Sequence, residues 1–352
     1  MKTRNFLEDQ IFETLSQEVK SAKNRDEVPP GYIEIALSTK GRVGAPAIVH
    51  VRNFTVGELL ELSLTNETDL PRRLISALNN AIYEETDVAD WHESEIEELL
   101  IYVYSEFYKS TLEAVEFPLL PEDYEFVKNG PDGEQRYADL KERKWIPRTT
   151  IKLLRDVDPY EISDNYSPEI TITNKKTGFY VTFSYVKYGD RLLVKNWLDK
   201  FYREEEKQFA TLIENLRYNS TVVDPLKKRP IDPEDEEAYN DFITKKLRTL
   251  TEVSRLVSVV NYNGRDVSKM DIDEKYKLLS KDARIDYGMI AKLAARQDKQ
   301  PFGLKPFIHM INPLTNEPCT RRFSFRISSI LQAMQLSGSD EYDDGFNDED
   351  IQ

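Results

Sequence analysis

The sequence has few of the residues on which most chemical sites depend. It contains one cysteine, Cys319, and three histidines among 352 residues. A single cysteine excludes an intrachain disulfide and a zinc site built from several thiolates. No run approaches 18 apolar residues, and the first residues lack the apolar stretch of a secretory signal. We therefore expect a soluble protein made in a cytoplasm, with no contact to a membrane.

The chain has fewer basic than acidic residues, with 48 Lys or Arg against 63 Asp or Glu. Its net charge is −15 at pH 7, so it should repel nucleic acid phosphates, and nucleic acid is not an expected partner. Hydrophobic residues make up 39% and charged residues 32% of the chain. This balance predicts a large surface relative to the core. We expect a multi-lobed, elongated chain, or one that completes its burial against partners.

The patterns that are present predict the α+β class, with β-hairpin lobes interleaved with helical segments. Ile33 and Ile35 alternate with polar residues, and a second alternating run covers 48–52. Thr55 and Glu58 have the spacing of a capping box, which predicts that a helix follows.

We predict helix over most of 70–117, with Asp90 as an N-cap and His92 in a solvated first turn. The prolines and glycines of 117–147 predict a loop or meander. A hairpin is predicted over 170–185. Further helices are expected at about 234–260, 271–281 and 283–297, with Asp273 and Asp282 as caps.

These elements divide the chain into six parts. The first is an amphipathic helical arm that carries Phe6 and Phe12, which either packs on its own domain or docks on a neighbouring protein. The last is an acidic tail with seven Asp or Glu residues, which alone should be disordered. The predicted parts are an arm at 1–29, domains at 30–147 and 148–222, a helical insertion at 223–300, a hairpin at 301–336 and the tail at 337–352.

The segment from His309 to Arg326 holds the only cysteine and raises the question of a chemical site. A zinc site here would lack two ligands, and no neighbouring residue pattern orients Cys319 as a nucleophile, although spacing alone does not exclude a Cys–His pair. A β-hairpin explains more of its residues, because an Asn-Pro turn separates an apolar strand from an alternating one. We predict no catalytic, metal or cofactor site.

The second strand of this hairpin concentrates arginine on one face. Alternation places Arg322 and Arg326 opposite Phe323, whereas Arg321 falls on the apolar face, at its rim. The arginine face is either solvated or binds carboxylates of a partner by forked hydrogen bonds. We favour a partner, and we assign Arg322, Arg326, Phe6 and Phe12 as candidate contact residues.

Four segments of the chain together resemble a known family: "IEIALSTKG", "FTVGELLEL", "ITITNKKTGFYVTF" and "NPLTNEPCTRRFSF". This is the baseplate-hub family of contractile-tailed phages of the T-even type. The resemblance covers about residues 30–200 and 300–332, and residues 205–297 have no counterpart in it. It implies a non-enzymatic protein of the tail, in the baseplate or hub, which contacts other tail proteins. It also implies multiple copies in a symmetric assembly and a location in the virion, after assembly in the host cytoplasm.

Two other functions stay open at this point. The acidic tail and the helical insertion also suit a tail-assembly chaperone or scaffold that is absent from the mature particle. The third alternative is a hydrolase that uses paired carboxylates, such as Asp123 with Glu125 or Asp232 with Asp235. Nucleotide-binding and hydrolase motifs are missing, which makes the hydrolase the weakest of the three.

Overall fold

The computed structural model describes residues 28–65, 69–222, 227–282, 284–285, 287–297, 302–323 and 327–337. The predicted α+β class is confirmed, since helices alternate along the chain with small antiparallel sheets. The strands are Tyr32–Ala36 (β1), Ile48–Arg52 (β2), Thr111–Glu116 (β3), Arg148–Lys152 (β4), Val157–Pro159 (β5), Ile170–Thr173 (β6), Tyr180–Phe183 (β7), Val259–Tyr262 (β8), Arg265–Asp266 (β9), Leu304–Ile311 (β10) and Pro318–Arg322 (β11).

The helices vary in length from five residues to 25. They are Val56–Leu64 (α1), Leu70–Ala81 (α2), Glu93–Phe107 (α3), Pro121–Lys128 (α4), Gly133–Lys141 (α5), Tyr188–Phe201 (α6), Arg203–Lys207 (α7), Ala210–Thr221 (α8), Pro233–Val257 (α9), Ile272–Ser280 (α10), Tyr287–Gln297 (α11) and Ile327–Ser337 (α12), with a 3-10 turn at Val88–Asp90.

The backbone forms two compact units. The first unit comprises Met1–Tyr166 and Pro301–Gln352, and the second comprises Ser167–Gln300. The second unit is therefore an insertion in the sequence of the first. These boundaries differ from the predicted six-part division except at 300, where both divide the chain.

The described residues of the first unit form three sheets, with strand orders β1-β2, β3-β4 and β11-β10-β5. Its core surrounds α3, whose residues Ile96, Leu99, Leu100 and Val103 are fully buried. The predicted capping box of Thr55 and Glu58 is confirmed at the start of α1. The N-cap of α3 is His92 rather than Asp90, because the His92 ring accepts the Ser94 N–H and Glu95 completes the capping box.

The helix predicted to run to residue 117 was wrong beyond Phe107. Residues Thr111–Glu116 form β3, which pairs with β4, because Thr111, Leu112 and Val115 suit a strand once a partner is present. The loop predicted for 117–147 was also wrong. Two of the residues that favoured a loop lie at helix starts instead: Pro121 opens α4, and Gly133 opens α5.

The second unit is built on one four-stranded antiparallel sheet of order β6-β7-β8-β9. The predicted hairpin of β6 and β7 is confirmed, with Ile172 opposite Val181. Strands β8 and β9 were missed, since the helix predicted to end at 260 stops at Val257. Asp271 caps α10 in place of Asp273, and Asp282 accepts the Arg284 N–H in the turn before α11.

Candidate protein interaction surface

The segment with the only cysteine forms the predicted hairpin. β10 and β11 pair antiparallel, with His309 opposite Thr320 and Met310 opposite Cys319. The turn is closed by Asn312, whose backbone N–H donates to the Glu317 carbonyl over 2.8 Å. β5 pairs with the other side of β10, so the hairpin is part of a three-stranded sheet.

Strand alternation divides the hairpin into an inner and an outer face. Ile308, Met310 and Arg321 of the inner face are buried. The outer face carries Phe307 and Ile311, which are 47% and 50% exposed. Arg322 lies opposite Phe307 on this outer face and is exposed, as the sequence predicted. Two large apolar side chains and a guanidinium group therefore share one accessible face.

β11 is an edge strand of this sheet. Phe323 donates its backbone N–H to the Pro306 carbonyl. Because hydrogen-bonded positions alternate along an antiparallel strand, Cys319 and Arg321 bond to β10. The backbone groups of Thr320 and Arg322 therefore point away from β10. Within the described residues no strand pairs with this edge. The Thr320 carbonyl accepts a bond of 3.3 Å from the Arg321 side chain. The other outward groups remain suited to a partner strand.

Arg321 does not lie at the rim of the apolar face, contrary to the prediction. It is 8% exposed, and its guanidinium donates to both carboxylate oxygens of Asp123 over 3.1 Å. Asn312 donates to the same carboxylate over 2.8 Å, and the Phe117 ring lies 5.1 Å from the guanidinium. A buried cation is tolerated on the inner face because a buried anion faces it. This ion pair joins the hairpin to the start of α4.

Cys319 and His309 are not opposite each other in the hairpin. They alternate onto opposite faces of the hairpin, since Cys319 lies opposite Met310 and His309 lies opposite Thr320. His309 Nδ1 is 2.9 Å from Thr320 Oγ1. Burial raises the pKa of the Cys319 thiol, which favours the protonated form over the nucleophilic thiolate.

Two of the four carboxylates considered for a hydrolase, Asp123 and Asp232, have structural roles. Asp123 forms the ion pair with Arg321, and it also accepts the Leu120 N–H at the start of α4. Asp232 caps α9 by accepting the Glu234 N–H over 3.0 Å. Among the described residues no three His, Cys, Asp or Glu side chains converge as metal ligands. The described helices are also too short or too polar to traverse a bilayer.

Three of the four predicted contact residues lie outside the described residues. These are Phe6, Phe12 and Arg326. Of the four predicted contact residues, only Arg322 is placed by the structure, on the outer face of the hairpin.

A cluster of buried carboxylates on α3 was not predicted from the sequence. Glu95 accepts the backbone N–H groups of Gly44 and Ala45, and Glu98 accepts the backbone and side-chain donors of Ser38. Burial raises the pKa of both carboxyl groups. The signal in the sequence was their spacing of three residues within an otherwise apolar helix face. These glutamates fix the loop between β1 and β2 on α3.

Glu97 on the same helix has a different environment. Burial raises its pKa to about 7. Within the described part of the chain no hydrogen bond to this half-buried carboxyl offsets the loss of water, whereas Glu95 and Glu98 have several donors each. Glu97 should therefore titrate near neutral pH.

Comparison with known proteins identified no relative. No family model matches the chain, and neither a curated protein nor a solved structure resembles it significantly.

Proposed function

We propose that the chain is a non-enzymatic structural subunit that acts through protein–protein contacts. The proposal rests on the outer face and the exposed edge strand of the C-terminal sheet. Phe307 and Ile311 expose apolar surface beside Arg322, and the backbone groups of Thr320 and Arg322 are directed outward along β11. Apolar anchors beside an arginine are typical of interface centres, and an edge strand can extend a sheet into another chain.

The place of action that we propose is a bacteriophage tail, in the baseplate or hub. Support for it comes from the resemblance of the sequence to the baseplate-hub family of T-even-like phages. The segments that carry the resemblance include the hairpin of β6 and β7, the hairpin of β10 and β11, and the capped start of α1. In this proposal the partners are other tail proteins, and the outer face meets an acidic surface on one of them.

The proposal is tested by complementation of a phage that lacks this gene. The variant Ile311→Ser with Arg322→Glu removes an apolar contact and reverses the charge on the outer face. We expect it to fold and to fail in the production of complete tails. The matched control is Leu247→Ser with Arg265→Glu, which changes an exposed leucine and an exposed arginine of the second unit. The control should complement like the wild type.

Mass spectrometry of purified particles distinguishes the structural role from the assembly role. Peptides of this chain in the tail fraction support a structural subunit. A chain required for tails but absent from finished particles would instead be an assembly factor. Full complementation by the Ile311/Arg322 variant would contradict the role of the outer face.

A further inference from the structure

A groove of about 870 Å³ lies between β4 and the tip of the C-terminal hairpin. Its lining includes the cations Lys152 and Arg155 and the apolar side chains Ile311, Pro313 and Pro318. Cys319 also lines it. The groove therefore combines positive charge with apolar surface, on a chain whose net charge is −15.

The two cations are accessible to a ligand. Arg155 is 75% exposed, and its Nε lies 3.9 Å from Asp156, the one acidic residue among the described residues of the lining. The side chain of Asp156 is only 15% exposed, and it accepts the Lys152 N–H over 2.9 Å. A ligand in the groove would thus meet the two cations before the anion.

A second groove of similar size has no preference for an acidic ligand. It is lined by Glu116 and Glu125 as well as by Lys141 and Arg143. Because its charges balance, it selects no ligand by charge. The groove at the hairpin tip is the one that favours an acidic ligand.

The chain itself contains a ligand of the required chemistry. Residues 338–352 carry seven carboxylates and no Lys, Arg or His, with Tyr342, Phe346 and Ile351 spaced among them. They follow directly on α12, which belongs to the same unit as the groove. Fifteen residues span up to about 50 Å when extended, and a compact unit of roughly 200 residues has a radius of gyration of about 17 Å. The segment is therefore long enough to reach the groove.

We infer that residues 338–352 bind in this groove of their own chain, with their carboxylates at Lys152 and Arg155. A tethered segment has an effective concentration in the millimolar range, so a weak intrinsic affinity is enough for occupancy. The bound segment covers the hairpin tip and Cys319, beside the edge strand β11. This inference does not depend on the proposed function.

Cys319 provides the measurement, because it is the only thiol of the chain and lines the groove. The full-length protein is alkylated with iodoacetamide, an uncharged reagent, and the rate is compared between variants. We expect Lys152→Glu with Arg155→Glu to raise the rate about fivefold or more, because the tail no longer covers the thiol. Two added negative charges would by themselves raise the thiol pKa and slow the reaction. A faster reaction therefore reports lost cover rather than altered thiol chemistry.

The matched control is Lys175→Glu with Lys176→Glu, the same charge change on the exposed turn between β6 and β7. It should leave the rate unchanged. Circular dichroism checks that each variant is folded. An unchanged rate in the groove variant would overturn the inference.

Two further measurements identify the occupant. Tenfold dilution of the wild type should leave the protection unchanged, and a loss of protection would assign the groove to the tail of a second copy instead. A labelled peptide of residues 338–352 should bind the chain that ends at Ser337 more tightly than a peptide with the same residues in scrambled order. Equal binding of the two peptides would reduce the interaction to unspecific charge attraction and contradict a defined site.

Discussion

Buried charges in the first unit are accommodated in two ways. Arg321 and Asp123 neutralise each other, whereas Glu95 and Glu98 are satisfied by neutral donors of a loop. Glu97 has neither form of compensation, and its pKa of about 7 reflects this. The three carboxyl groups lie on one helix, so position within the fold rather than residue type decides their chemistry.

The raised pKa of Glu97 leads to a first prediction. Its folded pKa of about 7 lies above the ordinary value of 4.5, so the folded state binds this proton more tightly than the unfolded state. The contribution of Glu97 to stability is therefore present at low pH and is lost as the pH rises through 7. At pH 8, Glu97→Gln should raise the free energy of unfolding of α3, on the order of 1–2 kcal/mol above the wild type. It should have little effect near pH 4.

Hydrogen exchange of residues 93–107 at both pH values measures this difference. The control is Glu125→Gln, which changes an exposed glutamate of α4. An equal effect of Glu97→Gln at pH 8 and pH 4 would contradict the assigned titration.

The second residue-scale prediction concerns the buried ion pair. Arg321→Met should destabilise the first unit by about 3–5 kcal/mol, because it leaves the Asp123 carboxylate buried without its cation. The double change Arg321→Met with Asp123→Asn should recover part of this loss, since no buried charge remains. Chemical denaturation of the two single variants and the double variant gives the coupling energy. Additive effects would show that the pair is not energetically coupled.

At the scale of elements, close contact with α3 decides the conformation of the β1–β2 loop. Gly44 lies so near the start of α3 that a Cβ atom on it would come within 2.6 Å of the Asp90 carbonyl oxygen and of the Trp91 Cα. Its N–H also donates to Glu95 over 3.1 Å. The loop and the helix cap are thus one packed structure.

Gly44→Ala should therefore destabilise the first unit by more than about 2 kcal/mol, because backbone atoms must shift to admit the methyl group. Gly57→Ala is the control: this glycine lies within α1, and the nearest atom to an added Cβ is 4.0 Å away. It should instead stabilise the protein by about 0.5–1 kcal/mol through helix propensity. Thermal unfolding of both variants tests the opposite signs, and a neutral Gly44→Ala would disprove the close packing of the loop.

At the scale of the whole molecule, the two ends of the first unit that flank the second unit in the sequence lie close together. Tyr166 ends one segment of the first unit, Phe302 lies near the start of the next, and their ring centroids are 6.1 Å apart. The chain therefore leaves and re-enters the first unit at nearly the same place. This geometry is typical of domain insertion.

We predict that residues 167–300 can be replaced by a short Gly-Ser linker without unfolding the first unit. Each unit has its own buried cluster, with Trp91 fully buried in the first and Phe183 in the second. The shortened chain should unfold cooperatively and keep the fluorescence of a buried tryptophan. Residues 167–300 expressed alone should also fold. Loss of cooperative unfolding in both pieces would show that the units depend on each other.

The local elements that rest on short-range chemistry are predictable from the sequence alone. The capping box of Thr55 and Glu58, the hairpin of β6 and β7 and the hairpin of β10 and β11 follow from alternation and turn residues within about 20 positions. The exposed position of Arg322 follows from the same alternation. The α+β class followed in turn from these elements.

Features that depend on contacts between distant residues follow only from the folded structure. Thr111–Glu116 is a strand because β4 lies beside it, and β8 and β9 exist because β7 offers an edge. Arg321 is buried because Asp123, 198 residues away in the sequence, neutralises it. The pKa of Glu97 is raised to about 7 because surrounding elements partly bury its carboxyl group. Local patterns contain no information on these partners, since each arises when separate segments pack together.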